Sequence, residues 1–335
     1  MDIQYRLKTD NMVFSFIKSN VGVLLALLAM GTVLSIVTNT FLTVDNILVV
    51  LRQVSINAIL AFAMTLVLIV GGIDLAVGSV VAATGVFTVM LITNFGLPVP
   101  VCIALALLMG IGFGFINGFI VSRTTIPPFI VTLATQTSIR GLSYMLADGK
   151  SISSTSDTFN SIGNSYVGPI PIPIIIMIVI MAFCSILLNR TRFGRRMYAV
   201  GGNRDAAKYT GINVKGVTQT VYIISGLLSG IAGVVLASRL YSGQPTAGNA
   251  YEADAIAAAV LGGTSFTGGI GAVGGTIIGA IVIGILNNGL NLMQVTFYWQ
   301  FVIKGIVIII AVYLDTVKNA RQVRFKKTED EELNE

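Results

Sequence analysis

Long apolar runs separated by short polar breaks make up most of the chain. They fall at 21–42, 54–70, 75–94, 98–121, 126–147, 170–188, 216–238, 251–262, 271–292 and 298–314. A membrane-crossing helix needs about 20 largely apolar residues. The pattern therefore predicts an all-α, polytopic membrane helix bundle of about ten spans, with 251–262 too short for a full crossing. It divides the chain into an N-terminal segment 1–20, a membrane domain 21–315 and a tail 316–335. Two polar stretches interrupt the runs: 148–169, rich in Ser, Asn and Gly, and 189–215, the longest loop on the other side. The tail end, 328–335, is acidic and reads as disordered.

Composition agrees with this reading. Hydrophobic residues make up 54% of the 335 and charged ones 11%, against about a quarter charged in ordinary soluble domains. Cys102 and Cys184 lie inside apolar runs and read as small packed hydrophobes. Histidine is absent, which excludes His-based acid–base and metal chemistry, and no metal site or cofactor is expected. The net charge of +6 does not point to nucleic acid, because the basic residues sit in short loops between apolar runs.

Charge placement predicts sidedness. Sixteen of the 21 Lys and Arg fall on one side: Arg6, Lys8, Lys18, Arg123, seven between Arg190 and Lys215, and five from Lys318 to Lys327. The positive-inside rule makes that side cytoplasmic, with both termini on it and 148–169 outside. The first run has no small-residue cleavage site and is expected to stay as a span.

Glycines cluster within spans, at Gly110, Gly112, Gly114 and Gly118, at Gly226, Gly230 and Gly233, and from Gly268 to Gly279. Such clusters predict close helix–helix approach. A weak internal echo, Val70-Gly71-Gly72 against Leu261-Gly262-Gly263, hints at interrupted helices in a repeat.

Charges and amides within the runs are the candidate chemistry. Asp74, Arg140, Glu252 and Asp254 are costly in hydrocarbon and call for a cavity or a partner. Asp74 also suits a helix cap behind a Gly71-Gly72 stop, and Glu252 and Asp254 suit bracing of the short segment. Asn57, Asn117, Gln136, Asn288 and Asn291 either bond between helices or line a wet pathway. A neutral polyol needs many weak donors and acceptors and no strong trap, so the set suits a sugar better than an ion. No GxxxxGK[ST] loop is present, so energy for uphill transport needs a partner chain. An ion-coupled secondary transporter of a small polar solute is the competing reading.

Six stretches then share one family's pattern: GGIDLAVGS (71–79), PPFIVTLAT (127–135), TRFGRRMYAVGGN (191–203), SGQPTAG (242–248), YEADAIAAAVLGGT (251–264) and LNNGLN (286–291). In these the chain resembles permeases of the ribose and galactoside class of bacterial ABC sugar importers, ribose permeases most of all. The resemblance implies a multi-pass protein of the bacterial cytoplasmic (inner) membrane. Its implied partners are a cytoplasmic ATPase, an extracytoplasmic sugar-binding protein and a second permease copy. It also implies ATPase coupling through 189–215, with Arg195, Arg196, Asn203, Ala206, Ala207, Gly211 and Ile212 as candidates. The residues fit that role: Asp205–Tyr209 reads as a short helix capped by Asn203 and stopped at Gly211.

Overall fold

The computed structural model describes residues 27–307 continuously, together with 23, 25, 309, 310 and 313. Helices α1 (Leu27–Val37), α2 (Val44–Ile69), α3 (Val77–Phe95), α4 (Val99–Arg123) and α5 (Pro128–Leu146) come first. A short polar excursion follows, with β1 (Ile152–Ser153), α6 (Asp157–Asn164), β2 (Tyr166–Val167) and β3 (Ile170–Pro171). The chain continues through α7 (Ile172–Arg190), α8 (Arg192–Gly202), α9 (Arg204–Tyr209), α10 (Val214–Arg239), β4 (Ser242–Gly243), α11 (Tyr251–Leu261), α12 (Val273–Leu292) and α13 (297–307).

The all-α membrane bundle is as expected, but ten spans are not found. Among the described residues six helices are long and apolar enough to cross a membrane: α2, α3, α4, α7, α10 and α12. Helix α5 has 19 residues but carries Thr132, Thr135, Gln136, Thr137, Ser138 and Arg140, which dilute its apolar content. Helix α11 has 11 residues, about 16 Å of rise. The runs 21–42 and 298–314 are described only in part. Arg6, Lys8, Lys18 and the basic residues from Lys318 onward lie outside the described residues.

Helix α2 is the centre of the bundle. It is buried without a break from Val54 to Ile69, and it packs against α7, α10, α11 and α12. Its first ten residues precede the apolar run 54–70, and Thr43 caps them by accepting from the Asn46 amide. Helix α10 lies along α3 and α4. There the glycine clusters act as expected: a Cβ on Gly110 would strike the Gly226 carbonyl, and one on Gly226 the Gly110 carbonyl. Gly112 and Gly230 are exceptions: a Cβ on the first would meet open space and one on the second only ordinary contacts.

The two polar stretches fold at opposite ends of α10, whose 26 residues span about 39 Å. At the Arg239 end, Ser238 Oγ donates to the Phe159 carbonyl (2.6 Å) and accepts from the Gly163 amide (2.7 Å), which ties α6 down. The segment 148–169 is thus a folded cap, and its β1 pairs antiparallel with β4. At the Val214 end sit α8 and α9. Helix α9 begins with Asn203 accepting from the Ala206 amide (2.9 Å) and stops before Gly211, whose φ of +81° suits glycine. Helix α8 was not expected, and its last residues are Gly201-Gly202. Cys102 and Cys184 are buried and unpaired by disulfide.

Candidate functional site

Helix α2 ends where Gly71 turns with φ +76°. Asp74 accepts the Ala76 amide on Oδ1 (3.1 Å). Ala76 is itself the N-cap of α3 and has no side-chain cap bond, so Asp74 holds the turn into the helix rather than capping it as expected. Asp74 Oδ2 accepts from Ser225 Oγ of α10 (2.7 Å), a partner in no sequence motif. The Ile73 carbonyl accepts from Tyr222 Oη of α10 and Thr132 Oγ1 of α5, each at 3.1 Å. The interruption between α2 and α3 is therefore a fixed structure with its polar groups paired.

A second group joins α5 to the segment entering α11. Arg140 Nη1 donates to the carbonyls of Pro245 (2.7 Å) and Ala247 (2.6 Å). One α-helical turn earlier, Gln136 Nε2 donates to Glu252 Oε1 (3.0 Å). Glu252 Oε2 is buried with no hydrogen-bond partner among the described residues. Between these anchors Ala250 takes φ +63°, a left-handed conformation that costs a non-glycine residue about 1–2 kcal/mol. Gly248 and Gly78 approach backbone to backbone beside it.

A third group braces α11. Asp254, 3% exposed, accepts from Lys304 Nζ of α13 (3.0 Å) and Asn287 Nδ2 of α12 (3.1 Å). Asn288 and Asn46 exchange two amide hydrogen bonds, at 2.8 and 3.1 Å, joining α12 to α2. Asn291 accepts from Gln300 (2.9 Å) near the α12–α13 turn.

The candidates read from sequence thus separate into neighbourhoods. Gln136, Arg140 and Glu252 come together, and Asp254 lies two residues along α11. Asp74 sits at the α2–α3 break, linked to the first group through Thr132. Asn117 is buried on α4 with its Oδ1 unpaired among the described residues, and Asn57 is buried inside α2. Asn288 and Asn291 serve helix–helix bonds. Lys304 and Ser225 were missed as partners. Lys304 carried a signal, as one cation inside an apolar run, whereas Ser225 carried none.

At the α8–α9 end, Arg192, Arg195, Arg196, Arg204 and Ala206 are exposed, and Tyr209 is 89% exposed. Ala207 departs from expectation. It faces the chain's own interior beside Val214 rather than outward, because it packs on the inner face of α9. Ile212 is half-buried, and its amide donates to the Ala207 carbonyl (3.1 Å), closing the helix end.

Comparison with known proteins agrees with this picture. The profile of the family described as branched-chain amino acid transport system / permease component matches residues 46–312. The chain is 46% identical over 309 residues to the ribose import permease protein RbsC of Bacillus subtilis (strain 168), covering 92% of this chain and 96% of the relative. It is 40% identical to the D-allose transport system permease protein AlsC of Escherichia coli (strain K12), covering 82% and 84%. It is 32% identical to the xylose transport system permease protein XylH of Haemophilus influenzae (strain ATCC 51907 / DSM 11121 / KW20 / Rd), covering 93% and 98%. No solved structure matches. With the match running from the third residue of α2 through α13, the chain belongs to this family of multi-pass transport-system permease components.

Proposed function

We propose that the chain is the permease subunit of a bacterial ABC importer for a monosaccharide, ribose first among them. It contributes the translocation pathway and no catalytic step, and a partner ATPase hydrolyses ATP. The similarity to sugar permeases along almost the whole chain carries this reading. Both termini and the α8–α9 end are cytoplasmic, and the α6 cap faces the extracytoplasmic binding protein that delivers the sugar. A second copy completes the transporter in the inner membrane.

The geometry supports a pathway beside α5. Helix α5 is the polar one, and its Gln136 and Arg140 hold the approach to α11 by hydrogen bonds that sugar hydroxyls can replace one for one. Glu252 Oε2 and Asn287 Oδ1 are buried acceptors without partners among the described residues. Unpaired buried acceptors favour a ligand rich in hydroxyl donors. Pathway contacts of this kind are weak singly, so the sugar is released after it is admitted.

The test is uptake of radiolabelled ribose into proteoliposomes holding the permease and its ATPase, with loaded binding protein added on the outside. ATP-dependent ribose uptake that fails with allose and xylose supports the assignment. Uptake driven by an ion gradient without ATP overturns it. Arg140→Lys keeps the charge but replaces the planar guanidinium whose Nη1 bonds both the Pro245 and Ala247 carbonyls, and it is expected to lower uptake about tenfold.

A further inference from the structure

Three backbones meet where α8 ends. A Cβ on Gly201 would strike the Ile69 carbonyl at the end of α2 and the Gly269 amide of the α11–α12 connection. A Cβ on Gly268 would lie 2.9 Å from the Gly201 carbonyl oxygen and 3.2 Å from Gly71 Cα. The Gly269 amide donates to the Ile69 carbonyl (2.9 Å), which joins the two interruptions directly. From α8, Tyr198 Oη donates to the Gly271 carbonyl (2.7 Å). Burial pushes the Tyr198 phenol above its usual range, so it remains a donor throughout the physiological range. Helix α8 buries Gly194, Met197 and Val200 and exposes Arg192, Arg195 and Arg196. One face of this helix is therefore available to a partner, while its last turn is wedged between the two interrupted helix pairs.

We propose that Tyr198 and Gly201 are positioning residues for transport: they clamp α8 to the α2–α3 and α11–α12 interruptions, so that one displacement of α8 moves both together. This rests on the reading of α8–α9 as the element that meets the ATPase. The onward route is contiguous. The Ile73 carbonyl, two residues past Gly71, holds Thr132 of α5, and α5 carries Gln136 and Arg140 on to the segment entering α11. At the other interruption, α11 leads directly from Gly262 back to Asp254 and Glu252. A rigid two-ended contact of this type supplies the discrete mechanical link that coupling between distant sites requires.

The experiment uses the reconstituted full transporter and measures three quantities: co-purification of the ATPase, ATP hydrolysis, and ribose carried per ATP hydrolysed. Tyr198→Phe keeps the ring and removes only the hydroxyl. The expected result is normal co-purification and hydrolysis with sugar carried per ATP reduced at least threefold. Gly201→Ala is expected to lower the same ratio further, at least tenfold, at unchanged ATPase binding. If Gly201→Ala does not fold, Tyr198→Phe decides alone. A Tyr198→Phe transporter with wild-type sugar per ATP overturns the clamp. A variant that loses ATPase binding also overturns it, because the residue then serves docking. Failure of the wild-type chain to bind any ATPase defeats the underlying reading instead, and is read from the unmutated control.

Discussion

Lys304 reaches Asp254 at 3.0 Å and forms the only salt bridge among the described residues. The two belong to α13 and α11, separated in sequence by the whole of α12. Removing one partner of such a pair leaves a buried charge uncompensated, whereas removing both is tolerated. Lys304→Met is expected to cost about 3 kcal/mol, the lower end for a buried pair because the ammonium side chain keeps 19% exposure. Asp254→Asn combined with Lys304→Met is expected to recover most of that loss. Chemical unfolding in detergent reads both, and a double variant as unstable as the single one defeats the pairing argument.

The α2–α3 interruption depends on Ser225. Among the described residues Ser225 is the only side-chain donor to Asp74, so Ser225→Ala leaves Oδ2 buried with no partner among them. The expected loss is about 1–3 kcal/mol. Asp74→Asn in the Ser225→Ala background should regain part of it, since a neutral amide costs less to bury. Equal stability of Ser225→Ala and the parent chain would sink this account.

Neighbouring alanines on α9 should behave oppositely. Ala207 is buried against the chain's own core, so Ala207→Trp overpacks the interior and lowers stability by about 1–3 kcal/mol or more. Ala206 is exposed beside the 89%-exposed Tyr209, so Ala206→Trp leaves folding intact and blocks ATPase docking. Melting temperature and ATPase co-purification, measured on both variants, separate the two effects. A stable Ala207→Trp protein that fails to dock would reverse the assignment.

Sidedness is tested by cysteine labelling after Cys102 and Cys184 are replaced by alanine. Thr158→Cys on the α6 cap should react with an impermeant maleimide added outside intact cells. Arg196→Cys on α8 should react only after permeabilisation. The reverse pattern would invert the topology.

Much of the fold was legible because its physics is local. The Asn203 cap, the Gly211 stop and the Gly71–Asp74 interruption each need only neighbouring residue types, and each appears where the sequence placed it. Span ends were less legible: α2 starts ten residues before its apolar run because a threonine cap and a helical Arg52-Gln53 pair are tolerated there. Helix α8 escaped notice because its stability comes from packing Met197 and Val200 on the bundle, which outweighs two terminal glycines. The candidate site was half legible. Gln136, Arg140 and Glu252 announced themselves as polar groups in apolar runs. Their pairing, and the joining of Ser225 to Asp74 across 151 positions, is tertiary and leaves no periodic trace.

The burial of α2 sets an order on the making of the protein. Its final 16 residues, from Val54 to Ile69, end up enclosed by protein, yet most of the helices that enclose them are translated long afterwards. Thr65 meets Thr276 Oγ1 at 2.6 Å, and 211 residues separate the two. At about 5–20 residues per second, that is roughly 10–40 s of synthesis. Throughout that interval Thr65 lacks the Thr276 hydroxyl and keeps its bond to the Ala61 carbonyl within α2. Nascent chains released before α10, α11 and α12 have emerged therefore carry a central helix without most of the partners that bury it in the finished bundle.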